Sequence, residues 1–544
     1  MAENKVVIIG IDGATFDLID PWVKEGHLPN IERLLNEGTH GKLKSSIPPL
    51  SPCAWTSFMT GANPGKHGIL NFGELSEKDP RFVKFVKSQD RGMPPFWMYT
   101  SREGLKNIII NVPMTYPPDK VESVMISGMD APEGVDDYTY PKEIYEQIES
   151  KVRKYVVDIT LDSNQILDRE KYVADVIAMN RLRTDTALKL MEDYAWDVFV
   201  IVFVATDRVQ HDFWQDMLEA PGNDNAVFSV YKEVDRSVGA LLDKASEKSH
   251  KIIVSDHGSA TVSKTIVINK FLEKRGYLKY KNPGALRKYI FKPFMFIKSM
   301  FPESIKKKLK AVFKVEVNEI PALQLINIDW GKTKVFHFGP AGNIYINLQG
   351  RNPQGIVNTG EEYESLRDKV ISELSSLVDP ETGLKVIRKA HKREEIYSGQ
   401  MLEKASDIVL EIETGYTCND VLVEGKVISS CNLVDDFFWK DNRWSSDHEP
   451  NGILIMSGGG IKKENEIKGA EIIDIMPTLF YILGIPIPDN LDGKVLVDAF
   501  EESVTEGRKP VYTSDNLSGY SASGEGKDET ENIKDRLKGL GYMG

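Results

Sequence analysis

What this chain has little of narrows it first. Among 544 residues there are three cysteines, Cys53, Cys418 and Cys431, and no C-x-x-C pair. Neither a thiolate zinc site nor a disulfide framework is therefore expected. No apolar stretch is long enough to span a bilayer. The opening MAENKVVIIGIDG enters a strand-like run at once, with no basic segment followed by a long apolar one. No signal peptide is visible, and a soluble cytoplasmic protein is expected. Basic charge is not in excess either. The net charge is −13 and the pI about 5.4, which argues against a general nucleic-acid binder while leaving room for a local basic patch. Histidine is scarce, nine in all, so its positions carry information.

What is present is an ordinary soluble composition, 41% hydrophobic and 27% charged. The length exceeds one ordinary core, so a large domain with insertions, or two to three domains, is expected. Three apolar runs end in metal-ligating residue types. KVVIIGID ends at Asp12, WDVFVIVFVATDRVQH at Asp207 and His211, and KIIVSDHG at Asp256 and His257. In SSDHEP, His448 precedes the apolar run GILIMSG, and PPLSPCAWTSFMTG places Ser51 at a helix start. Buried parallel strands read as continuous apolar runs, and ligands gather beyond their carboxyl ends. These clusters are therefore expected to converge in space.

A strand at 5–11, a helix at 29–37 stopped by Gly38, a helix from Ser51 to Gly61, and strands around 105–113 and 121–130 alternate along the first part of the chain. That alternation favours a mostly parallel sheet covered on both faces. Residues 131–195 are polar and mostly helical in pattern. They lead to a strand at 197–205, a helix from near Asp207, another through DNAVFSVYKEVDRSVGALLDKA, and a strand at 251–255. The expected organisation is a core α/β domain formed by 1–280 and again by 446–500. Between its parts lie a basic helical insertion (281–328) and a cap with sheet-edge strands (329–445), and a polar flexible tail follows (501–544). Within the insertion, 283–318 is rich in Lys, Phe, Ile and Met, and Glu303 is its one acid. It reads either as a lid packed on the core or as a peripheral contact for anionic lipid or polymer, depending on whether its apolar face is buried. The stretch AEIIDIMPTLFYILGI is apolar nearly all round, hence a buried helix.

Asp207 and His211 are four apart, which puts both on one helix face. A carboxylate and an imidazole there suit zinc, although a surface pair has the same spacing. Asp256 and His257 are adjacent, so only a tight turn, with Gly258 allowing it, points both at one ion. An ordinary polar turn is the alternative. Asp12 is equally a ligand and a helix N-cap candidate. Ser51 before Pro52 reads as an N-cap with proline at the first helical position. The same geometry suits phosphate binding, and a metal beside the hydroxyl would make it a nucleophile. No G-x-S-x-G surrounds it, so it is not a hydrolase elbow. His448 becomes a ligand candidate because a zinc site needs three protein ligands and Asp207 with His211 supply two. His67, in NPGKHG, reads as a structural residue under the Ser51 loop, and Asn71 as a side-chain amide able to bind a phosphate oxygen.

The ordered set Asp, Ser, Asp-x-x-x-His, Asp-His-Gly, His resembles the alkaline phosphatase superfamily. It looks most like the type I phosphodiesterase/nucleotide pyrophosphatase branch, and within it the prokaryotic phosphohydrolase/phosphomutase group. The segments that carry this are PPLSPCAWTSFMTGANPGKHGI, TDRVQHDFW, SDHG, DHEPNGILIMSG and IDIMPTLFYILGIPIPDNLDG. The resemblance implies a three-layer α/β/α core with inserted cap segments. It implies two divalent ions, zinc or manganese, one held by Asp207, His211 and His448 and the other by Asp12, Asp256, His257 and the Ser51 oxygen. It implies hydrolysis of a phosphodiester or phosphomonoester through a phosphoserine on Ser51. A phosphomutase using the same phosphoryl-enzyme, and an idle binding protein of the same fold, are the alternatives. The partner would be a phosphorylated small molecule or a lipid-linked substrate. Phe72 falls where nucleotide pyrophosphatases carry Asn, with Asn71 just before it, and their nucleotide-stacking aromatics have no match here. No Arg follows Ser51 in a C/S-x-P-x-R pattern, so sulfatase chemistry is not expected.

Overall fold

A computed structural model describes residues 5–132, 134–151, 155–159, 168–219, 222, 224–281, 319–322, 325, 327–418, 433–435, 438–439, 445–517 and 520. The basic segment 283–318, with its lid and membrane-surface readings, lies outside them.

The apolar runs become strands, and because both sides of each are apolar they occupy the middle of one sheet. In β1 (Val6–Ile11) every residue is buried. Val7, Ile9 and Ile11 enter one core and Val6 and Ile8 the other, as the period of two requires. After β1 come α1 (Phe16–Lys24), α2 (Pro29–Glu37), β2 (Gly38–Lys44) and α3 (Ser51–Thr60). Next are β3 (Asn107–Val112), β4 (Ser123–Ser127), β5 (Thr139–Tyr140) and α4 (Arg169–Asp193). The core continues through β6 (Val198–Phe203), α5 (Ala205–Glu219), α6 (Ala226–Lys244) and β7 (His250–Val254). The chain then leaves through β8 (Gly258–Ile266). It builds β9 (Val335–His337), β10 (Asn343–Ile346), α7 (Glu361–Ser375), β11 (Ile387–Lys392), β12 (Ile408–Ile412) and β13 (Gly415–Cys418). It returns by β14 (Ser446–Glu449), β15 (Asn451–Ser457), β16 (Asn465–Glu466), β17 (Ala470–Glu471) and α8 (Ile475–Leu483).

The central sheet runs β16-β2-β15-β7-β1-β6-β3-β4-β5, with β17 also on β2. Its middle, β7-β1-β6-β3-β4, is parallel. β15 lies antiparallel to both β7 and β2, and β5 antiparallel to β4. Trp55 and Phe58 of α3 and Leu479 and Phe480 of α8 fill one face. Trp22, Ile31, Val176, Val209 and Val234, from α1, α2, α4, α5 and α6, fill the other. This is the three-layer α/β/α core. In register, Gly10 stands opposite both Val202 and Val254. The three strands thus end level, and the residues that follow them emerge at one edge.

β9, β10, β12 and β11 form a separate four-stranded antiparallel sheet. A buried ion pair joins the segment between α7 and β11 to β8. Lys264 Nζ of β8 lies 2.6 Å from Asp379 and 2.8 Å from Glu381, and the Tyr416 hydroxyl donates to Asp379 at 2.8 Å. Residues 501–517, read as a flexible tail, instead carry a helix at Glu502–Gly507 and a strand, Tyr512–Thr513, paired with Ile487–Pro488. Tyr520 then sets its hydroxyl on buried Arg91 and Asp119. Among the described residues no helix is long and apolar enough to cross a membrane.

Candidate metal centre and active site

Asp12, Ser51, Asp207, His211, Asp256, His257 and His448 come together in one buried cluster at the carboxyl end of the parallel strands. Asp12 directly follows β1. Asp207 is the third residue of α5, and its Oδ1 lies 3.2 Å from Nε2 of His211, one turn on. Asp256 and His257 follow β7. His257 Nε2 is 3.2 Å from Asp256 Oδ2 and 3.7 Å from Asp12 Oδ1. His448 Nε2 lies 3.2 Å from His211 Nε2 and 3.7 Å from Asp207 Oδ1. Its ring stacks on that of His257 with centroids 3.7 Å apart.

His448 precedes the apolar strand β15, as expected, and sits on a short strand of its own, β14, opposite Ser259 of β8. Local details differ from the sequence reading in two places. Gly258 is not a turn residue: it opens β8, and a Cβ there would lie 2.3 Å from the Asn451 carbonyl oxygen. Close packing of β8 on the β14–β15 connection therefore requires the glycine. Ser51 is not an N-cap. Leu50 occupies that position, Ser51 is the first helical residue and Pro52 the second. Its hydroxyl is thus not spent on capping and lies 3.3 Å from His257 Nε2. Asn71 Oδ1 accepts the Phe72 N–H at 2.8 Å, and its amide nitrogen lies against Gly339. His67 is buried, and its Nε2 is 3.0 Å from Ser57 Oγ of α3.

Each carboxylate divides its oxygens. Asp12 Oδ2 accepts from Trp55 Nε1 at 3.0 Å, Asp207 Oδ2 from Arg208 at 3.1 Å, and Asp256 Oδ1 from the Gly13 N–H at 3.3 Å. The other oxygens, Asp12 Oδ1, Asp207 Oδ1 and Asp256 Oδ2, are buried without a hydrogen bond. Such atoms are costly unless something positive meets them. The imidazoles are oriented likewise. His211 donates from Nδ1 to the Ser446 carbonyl at 3.2 Å and His257 from Nδ1 to that of Gly258 at 3.0 Å, leaving each Nε2 facing the carboxylates.

The proton affinities show the same unbalanced charge. Burial, with Asp256 and Asp207 nearby, pushes Asp12 well above the usual carboxylate range. Burial and then Asp207 lift Asp256 to about 8. Burial works against charge on His211, yet Asp207 lifts it to about 9. Burial also disfavours ionised Asp207, but His211, His448 and Arg208 hold it well below its ordinary value. Burial and the neighbouring His257 depress His448. Two sets, Asp207/His211/His448 and Asp12/Asp207/His257, place one ligand atom per residue within 4.8 Å of one another. Mixed carboxylate and imidazole donors with three unmet oxygens fit divalent cations.

Three supporting groups were not legible beforehand. Trp55 reads as core, yet its indole holds Asp12. It can do so because Gly10 leaves room: a Cβ there would be 2.4 Å from the Trp55 ring. Arg208 had a signal only in adjoining Asp207. Asp158, 3.1 Å from Arg208, had none.

A three-layer α/β/α sheet with a buried Asp/His cluster and a serine at its strand ends defines a hydrolase of the alkaline-phosphatase type. The chain belongs to the type I phosphodiesterase/nucleotide pyrophosphatase family, whose sequence model matches residues 6–421. That match stops short of His448, which the fold brings to His211. Among solved structures the fold is similar to phosphonoacetate hydrolase from Sinorhizobium meliloti 1021, seen with phosphonoformate and with phosphonoacetate. Each match has a TM-score of 0.52 at 13% identity and covers 89% of this chain and 95% of the other. No curated protein sequence matches.

Proposed function

We propose that this protein is a two-metal phosphohydrolase that cleaves a phosphodiester or phosphomonoester through a covalent phosphoserine on Ser51. The observation that carries this reading is the Ser51 hydroxyl, free of capping duty and 3.3 Å from His257 within the ligand cluster. Divalent ions, zinc by the donor set with manganese as the alternative, would be held by Asp207, His211 and His448 and by Asp12, Asp256, His257 and the Ser51 oxygen, and would supply Lewis acidity and charge neutralisation to the phosphoryl oxygens.

Ser51 begins α3, so the positive end of that helix faces the substrate phosphate. Its Oγ attacks phosphorus in line. The O–P bond to serine forms as the bond to the leaving oxygen breaks; the serine proton is lost to water, and the departing alcohol takes one from water. Attack of water on the phosphoserine then restores the hydroxyl and releases phosphate, or the remaining monoester. Trp55, Arg208 and the Gly13 N–H hold the three carboxylates in place throughout.

Ser51→Ala tests the route. Turnover of a chromogenic phosphoester should fall by roughly three orders of magnitude or more, with metal content largely kept and melting little changed, since Leu50 is the cap. Ser51→Thr should keep substantial activity. Acid quench during turnover should leave phosphate on Ser51 by mass spectrometry. Near-wild-type activity in Ser51→Ala would rule the covalent route out. Phosphate released into solution in step with ester loss distinguishes hydrolysis from return of the phosphoryl group by a mutase.

A further inference from the structure

Between β1 and α1 the chain runs through Asp12, Gly13 and Ala14, and the two peptide groups of this stretch are held from opposite sides. In the first, the Asp12 carbonyl accepts from the Thr206 hydroxyl at 2.5 Å, and the Gly13 N–H donates to Asp256 Oδ1 at 3.3 Å. In the second, the Gly13 carbonyl accepts from Gln210 Nε2 at 3.0 Å, and the Ala14 N–H donates to Ser255 Oγ at 2.9 Å. Both carbonyls are thus held by α5, and both N–H groups by the turn after β7. Ser255 in turn donates to the His257 carbonyl, and Ser259 of β8 adds a second donor to the Gly13 carbonyl at 3.1 Å. Thr206, Gln210, Ser255 and Asp256 are all buried, so water does not replace a bond that is lost. Each of the first three directly precedes a ligand candidate: Asp207, His211 and Asp256. The Gln210 amide is oriented from behind. The Tyr231 hydroxyl donates to its Oε1 at 3.1 Å, which leaves Nε2 to meet the Gly13 carbonyl. Gly13 has φ +68°, and a Cβ there would lie 3.0 Å from Gln210 Nε2 and 3.2 Å from Asp207 Oδ1. Only glycine fits this path between α5 and the β7 turn.

Resting on the two-metal reading above, we propose that Gln210 and Thr206 are positioning residues that couple the two ion sites. Through the 12–14 bridge they set α5, which carries Asp207 and His211, against the turn that carries Asp256 and His257. Neither side chain bonds to a ligand side chain on its own helix. Their effect passes through the bridge, so losing either one should disturb both ligand sets at once.

The experiment measures zinc affinity of the full chain, stripped with EDTA, by competition with a chromophoric chelator. A His448→Ala background leaves the Asp12, Asp256, His257 and Ser51 set complete, and a His257→Ala background leaves the Asp207, His211 and His448 set. Gln210→Met should weaken zinc binding by about tenfold or more in both backgrounds. Thr206→Val should do the same, and it decides the matter if Gln210→Met does not fold. The control is Thr184→Val, which removes a buried hydroxyl bond between α4 and α6. It should lower melting in EDTA and leave both affinities unchanged. A loss confined to the His257→Ala background would mean that the two residues serve only their own helix. Unchanged affinity in both would mean that the bridge is packing, and an equal loss in Thr184→Val would mean general loosening. Each of these three results overturns the coupling and leaves the phosphohydrolase standing. A wild-type chain that takes up fewer than two zinc ions overturns the two-metal reading itself.

Discussion

A carboxylate has two oxygens, and at this centre one is held by the protein while the other faces the ligand cluster. Such division fixes a ligand's direction before any ion arrives, which matters because a misdirected carboxylate loses binding energy to reorganisation. Trp55 shows the cost of the arrangement: its ring lies over Gly10 so that Nε1 reaches Asp12 at 3.0 Å. Trp55→Phe keeps most of the buried ring and removes only the donor. Zinc affinity, measured by competition with a chromophoric chelator, should weaken by about 10- to 100-fold, with melting in EDTA changed far less. Unchanged zinc affinity would show that the indole is only packing. Nothing in a sequence separates the two roles, since a tryptophan in a fully buried helix looks the same either way. Asp12, by contrast, was legible because it stands at the end of an all-apolar run.

At the scale of elements, α3 carries the nucleophile candidate and is pinned by His67. Its Nδ1 accepts the Ile69 N–H at 3.1 Å, so the proton sits on Nε2, which donates to Ser57 of α3. Burial, and then Arg91, push His67 down to about 3. The folded state therefore keeps this imidazole neutral, while in the unfolded chain it titrates near 6.5. Its contribution is complete above pH 6.5 and drains away as pH falls toward 3, by roughly 1.4 kcal/mol per pH unit inside that window. In EDTA, the urea midpoint of the wild type should drop from pH 7.5 to pH 5 more steeply than that of His67→Gln. Equal slopes would place the acid sensitivity elsewhere. The elements that sequence patterning revealed are those with one dominant signal: the apolar runs β1, β6 and β7, and the spacing of Asp207 and His211 on α5. β2 was missed because its residues, GTHGKLK, alternate weakly and contain two glycines, so only its pairing with β15 makes it a strand. His448 lies on β14 for the same reason: a four-residue ladder to β8 leaves no pattern along the chain.

Over the whole molecule, the cap is fastened to the core by a charge that water does not reach. Lys264 and Asp379 are 3% and 0% exposed at their side chains. Removing the lysine alone strands the carboxylate, whose remaining partners among the described residues are Tyr416 and the Glu381 N–H. Lys264→Met should cost about 3 kcal/mol or more in urea unfolding, and Lys264→Met with Asp379→Leu should recover much of that. A single variant as stable as wild type would mean that the pair does not hold the cap. The chain's connectivity has a further consequence, for synthesis. β2 is made early, yet all of its sheet partners, β15, β16 and β17, come from residues 451–471. His211 likewise waits 237 residues for His448. At cellular translation speeds that interval is roughly ten to fifty seconds. During it the nascent chain carries an unpaired β2 and an incomplete Asp/His cluster, and both are completed only once β14 and β15 have been made.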